Sequence, residues 1–108
     1  VYCAEAGGVE GQQKGGMDAF KTKFKAKFGT DVQLYAPYVY DGVNLMVAAM
    51  VKAGSSDPAK YLPVLAATKD YKGVTGNISF DNKGDILSGA LTLKTVKGGK
   101  LSEIAVIR

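Results

Sequence analysis

The sequence predicts an α/β fold that is incomplete on its own. Three observations carry this expectation. Two segments repeat apolar residues at helical spacing. Strand-like runs stand at both ends of the chain. The second helical segment is apolar around most of its circumference, which is more than the available strands can cover.

Taken in order, Tyr2–Ala4 predicts a short strand end. Val1 opens directly in that apolar stretch, so the sequence is expected to begin inside a longer chain. The segment 5–16 contains Gly7, Gly8, Gly11, Gly15 and Gly16, which predicts an irregular connection with its glycine pairs in turns. Met17, Phe20, Phe24 and Phe28 recur every three or four residues, so a helix is expected from Met17 to Phe28, stopped by Gly29.

Pro37 suits the first position of a second helix, where its missing N–H costs nothing. The helix is expected to reach Ala53 and end at Gly54. One apolar stripe is Tyr40, Val43, Val47, Met50 and Val51; another is Val39, Gly42, Met46, Ala49 and Ala53. Asp41, Asn44 and Lys52 lie close to one face and mark its polar side. Asp41 in the first turn and Lys52 in the last would both suit the helix dipole.

Asp57-Pro58 is a capped helix start, and Tyr61, Leu62 and Leu65 carry a third helix to about Ala67, with Pro63 tolerated early in it. Residues 71–76 are expected to form a loop and Ile78–Phe80 a short strand. Asp81-Asn82-Lys83-Gly84 predicts a turn. Ala90–Val96, Gly98-Gly99 and Leu101–Ile107 predict a hairpin.

Composition narrows the function. The chain has 108 residues, 46% hydrophobic and 22% charged, which fits one modest globular domain. No apolar run approaches the ~20 residues that span a bilayer. There is no His, so Ser–His and Cys–His nucleophiles and His-based metal sites are excluded. The single Cys3 excludes an internal disulfide and reads as a small buried apolar residue. No phosphate-binding glycine loop is present, and Asp81-Asn82-Lys83-Gly84-Asp85 fails the spacing of a calcium loop. The chain is therefore expected to be no enzyme and to carry no cofactor or metal. The net charge of +4 is modest and reads as a solvated surface.

Phe20-Lys21-Thr22-Lys23-Phe24-Lys25-Ala26-Lys27-Phe28 permits an alternative of another class. In that reading the 17–28 helix makes a small basic module for anionic membranes or nucleic acid. The favoured reading places the Phe stripe in a protein core. Nucleic acid is not expected as a partner, because the only Arg is Arg108.

Two blocks carry a more specific signal. Tyr35-Ala36-Pro37-Tyr38-Val39-Tyr40-Asp41-Gly42-Val43-Asn44-Leu45 runs on to Lys52-Ala53-Gly54-Ser55, and Gly76-Asn77-Ile78-Ser79-Phe80-Asp81-Asn82-Lys83-Gly84-Asp85 follows. In order and spacing they resemble the C-terminal third of the periplasmic branched-chain amino-acid-binding proteins, type I solute receptors of ABC transporters. The resemblance covers nearly the whole chain. It implies the C-terminal portion of a two-lobed α/β sandwich. Residues 1–30 would go with the C-terminal lobe, 31–73 would pack on the N-terminal lobe, and 74–108 would form crossing and edge strands. It further implies a periplasmic location, a small amino acid or amide as ligand, and an ABC transporter permease as partner. Tyr38 follows the Pro that opens the long helix. In the family an aromatic there lines the ligand cleft, so Tyr38 is the candidate ligand-binding residue. The family's remaining ligand contacts fall before Val1. The uncovered helix also leads us to expect self-association of this chain, possible by exchange of elements between identical copies.

Overall fold

A computed structural model describes residues 1–9 and 13–108. In chain order the elements are β1 (Tyr2–Ala6), α1 (Gln13–Phe28), α2 (Ala36–Ala53), α3 (Pro58–Ala66), β2 (Tyr71–Gly73), β3 (Gly76–Ile78), β4 (Leu91–Lys97) and β5 (Lys100–Ile107). Strands β1, β4 and β5 form one antiparallel sheet in the order β1-β4-β5, and β2-β3 is a separate antiparallel pair.

The strongest local signals are realised. Gly54 adopts the left-handed conformation (φ +66°) that ends α2. Its N–H and that of Ser55 donate to the Val51 and Met50 carbonyls, which closes the last helical turn. The Asp57 carboxylate caps α3 by accepting from the Ala59 N–H at 3.0 Å. Gly98 and Gly99, at φ +56° and +76°, make the two-residue turn of the β4-β5 hairpin. Both signs match the turn type that follows the natural strand twist. The Asp81 side chain accepts from the Lys83 and Asp85 N–H groups at 2.8 and 2.9 Å and closes the turn expected there.

Several expectations are corrected. Strand β1 extends to Ala6, and α1 begins at Gln13, so Gly15 and Gly16 lie within the helix and not in a turn. Gly11 falls outside the described residues. The expected loop at 71–76 is a short hairpin, with Val74-Thr75 as its turn. Asp41 belongs to the second turn of α2, beyond the reach of the dipole argument. No described residue of α1 is buried, so its Phe stripe forms no closed core. Phe20 instead packs on Phe24 and on Tyr40 of α2, with ring centroids 5.9 and 4.9 Å apart. Cys3 is half-buried and free.

The largest correction concerns the rotation of α2. Its buried stripe is Pro37, Asp41, Leu45 and Ala49. The face marked as polar by Asp41 therefore turns inward. Val39, Val43, Met46, Val47 and Val51, expected to pack, are each more than 40% exposed. The helix packs against α3. The enclosed core is small: among the described residues its buried apolar side chains are Pro37, Leu45, Ala49 and Ile78.

Candidate functional site

The site is built where β1 leaves the sheet. Gly7 and Gly8 follow β1 at φ +110° and +121°, a backbone region that favours glycine. The Gly7 N–H donates to the Ala90 carbonyl, and the Thr92 hydroxyl donates to the Gly7 carbonyl, each at 2.9 Å. Thr92 is buried, so this bond is shielded from water. A Cβ on Gly8 would meet the Thr92 hydroxyl and Val106 at 2.8 Å. The turn is thus held against the sheet by contacts that only glycine permits.

Tyr38 meets this turn from the opposite side. Pro37, at the start of α2, is buried and anchors the helix end. Tyr38, the next residue, is half-buried and sets its hydroxyl directly over Gly7, where a Cβ would collide with it. Burial pushes the Tyr38 phenol above its ordinary pKa, and the nearby negative charge of Asp41 adds to the rise. Tyr38 therefore presents a neutral phenol and an aromatic face.

Between these parts lies an open cleft of about 740 Å³. Tyr38, Leu34 and Met17 contribute apolar wall, while Glu5, Lys94 and Glu103 contribute charge. Lys94 donates to the Glu5 carboxylate, and that hydrogen bond raises the Lys94 pKa. The volume suits a small ligand, and the mixed lining suits one with both apolar and charged parts. Among the described residues, no group of three or more His, Cys, Asp or Glu is placed to hold a metal.

Asp41, one helical turn beyond Tyr38, is 3% exposed. Its carboxylate accepts from the Val74 N–H at 2.9 Å, the Thr75 N–H at 2.8 Å and the Thr75 hydroxyl. A Cβ on Gly73 would run into that carboxylate. Sequence reasoning missed this contact because Asp41 and its partners are more than thirty positions apart. The available signal was an Asp inside an otherwise apolar helix, which is costly unless partnered.

The structure thus brings Tyr38 to a cleft with Gly7 and Gly8, whose role in packing against it the sequence did not indicate. It does not place the Phe/Lys helix as a free amphipathic stripe, since Phe20 is engaged by Tyr40.

A family model described as periplasmic binding protein matches residues 2–100. The Leu/Ile/Val-binding protein homolog 2 of Brucella abortus is 40% identical over 57 residues, 53% of this chain and 15% of that protein. Homolog 1 from the same organism is 34% identical over 83 residues, covering 76% and 21%. Among solved structures, the branched-chain amino acid transporter substrate-binding protein of Streptococcus pneumoniae, in complex with isoleucine, superposes with a TM-score of 0.81 at 26% identity. The match covers 98% of this chain and 30% of that one. A leucine-binding protein of Thermotoga maritima shares the fold, with a TM-score of 0.79 at 23% identity over 99% and 30% of the two chains. The chain therefore spans less than a third of the relatives it matches. These similarities do not favour the basic-module alternative.

Proposed function

The chain belongs to the periplasmic binding protein family, and on that premise we propose that it supplies one wall of the ligand cleft in an amino-acid receptor. The receptor would deliver branched-chain or related small amino acids or amides to an ABC transporter permease in the periplasm. The role is binding, in keeping with the substrate-binding character of its relatives. The observation that carries the reading is Tyr38. It stands after the helix-opening proline, half-buried, with its hydroxyl on Gly7 and its ring on the open cleft. An aromatic face of this kind buries an aliphatic side chain with little polar penalty. In this reading residues 1–30 go with the C-terminal lobe, 31–73 pack on the N-terminal lobe, and 74–108 form crossing and edge strands.

A complete site must also pair the ammonium and carboxylate of the ligand in a dry setting. Glu5 and Lys94 already satisfy each other, and a chain that matches 30% of an isoleucine-bound neighbour would supply only one part of such a pairing set. The 108-residue chain is accordingly expected not to bind leucine, isoleucine or valine on its own. The test is calorimetry in two settings. One is the isolated chain, where no heat of binding is expected. The other is a chimera in which this chain replaces the corresponding part of the S. pneumoniae receptor, where isoleucine binding is expected. A chimera that folds without binding isoleucine, or an isolated chain with micromolar affinity, contradicts the proposal.

Self-association is the second part of the proposal. The exposed apolar face of α2 would be covered by a second copy, in keeping with the 58% and 51% exposure of Val43 and Val47.

A further inference from the structure

We infer that Asp41 is the positioning residue for Tyr38: locked to the Val74-Thr75 turn, it fixes the rotation of α2 and thereby the seat of the phenol on Gly7. The inference rests on the cleft role proposed for Tyr38, but it concerns placement, which can be read without any ligand.

A carboxylate buried this deeply is costly unless hydrogen-bonded or paired. Among the described residues Asp41 forms no ion pair. Its compensation comes from three donors, all within one two-residue turn. Each of these charge-assisted bonds is stronger than a neutral one, and each depends on direction. The helix and the turn must therefore keep a fixed relation.

Packing against α3 also holds α2, and the Asp41 contact adds a directional restraint in the helix's second turn, next to Tyr38. The side bearing Val39, Val43 and Val47 is open. Tyr40 meets only the Phe20 ring from α1 among the aromatic contacts. Gly73 leaves no slack, because its missing Cβ is what lets the turn close on the carboxylate. Tyr38 and Asp41 are three positions apart, so they share a helix face and move together when the helix turns. Freeing Asp41 would lift the phenol away from Gly7.

The experiment is nuclear magnetic resonance of the 108-residue chain with labelled tyrosine rings. It reads the cross-peak between the Tyr38 ring and Gly7, and amide exchange at Val74 and Thr75. In Asp41→Asn an amide replaces one acceptor oxygen and points a donor at a donor. Exchange at Val74 and Thr75 should accelerate by about tenfold or more, and the Tyr38–Gly7 cross-peak should be lost. Asp81→Asn, which weakens a similar carboxylate-to-turn contact at Lys83 and Asp85, should leave that cross-peak intact. Accelerated exchange with an unchanged cross-peak overturns the inference. If Asp41→Asn fails to fold, Thr75→Val removes only the hydroxyl donor. It should weaken the same cross-peak, and an unchanged cross-peak there also overturns the inference. Absence of isoleucine binding in the chimera would sink the cleft proposal and leave these readouts standing.

Discussion

The exposed face of α2 leads to a quantitative expectation about assembly. The chain exposes 7623 Å² of surface for a mass of 11.3 kDa. A compact monomer of that mass exposes about 5,700 Å². The excess, roughly 1,900 Å², is more than twice the ~800 Å² that each partner contributes to a standard interface. The radius of gyration agrees: it is 15.9 Å, against about 13 Å for a compact chain of this length. Much of the excess is apolar, with Val43 58% and Val47 51% exposed on α2. The outer edge of β1, which among the described residues pairs with β4 alone, offers a second surface for pairing. An interface of standard size supports affinities from micromolar to picomolar once association entropy is deducted. The chain should therefore be a dimer or larger at about 10 µM. Light scattering over a dilution series should report at least twice the 11.3 kDa chain mass. The double substitution Val43→Asp, Val47→Lys should shift that mass toward the monomer, because charges on the patch must be desolvated to pair. A wild-type chain that stays monomeric, unfolds cooperatively and has a radius of about 13 Å would mean that the chain buries its own apolar surface without a partner.

Two further outcomes follow from the site geometry. Gly73→Ala drives a methyl group into the Asp41 carboxylate and should destabilise the fold by about 1–3 kcal/mol, read as a lower denaturant midpoint; an unchanged midpoint would mean that the turn yields freely. Tyr38 has its pKa raised in the folded chain by burial and then by Asp41, so it should ionise above the ordinary tyrosine value of about 10. Its contribution to stability is then fully present below the unfolded pKa and lost as pH rises through the folded one. Tyrosinate absorbance should lose its highest-pH component in Tyr38→Phe, and loss of a component at or below the ordinary value would contradict the burial.

What the sequence made legible were the features encoded locally. Gly54, Asp57-Pro58 and Gly98-Gly99 act on their immediate neighbours, and each does what its chemistry predicts. The order of the motifs around Pro37 and Phe80 was enough to indicate the family. The rotation of α2 was not legible. Its apolar residues surround the helix so widely that periodicity selects no single inner face. The side that packs is chosen by Asp41, whose partners lie beyond two intervening elements. The short β2-β3 hairpin was missed for a related reason. Tyr71-Lys72-Gly73 is too brief and too glycine-rich to show alternation, and its turn is fixed by the same distant carboxylate. Gly7 and Gly8 read as a generic turn, because the hydroxyls of Tyr38 and Thr92 that press on them come from elsewhere in the chain. Gly15 and Gly16 misled in the other direction: glycine lowers helix propensity, and the helix forms through them nonetheless.

If Tyr38 forms part of an amino-acid cleft, its substitution in the receptor chimera must weaken ligand binding. Tyr38→Ala removes an aromatic face from the cleft while leaving the buried stripe Pro37, Asp41, Leu45 and Ala49 intact. Calorimetry with isoleucine should show affinity weakened by about 1–3 kcal/mol, or roughly 5- to 150-fold in Kd, with the melting temperature little changed. Unchanged affinity accompanied by a large fall in melting temperature would make Tyr38 a core residue and contradict the account.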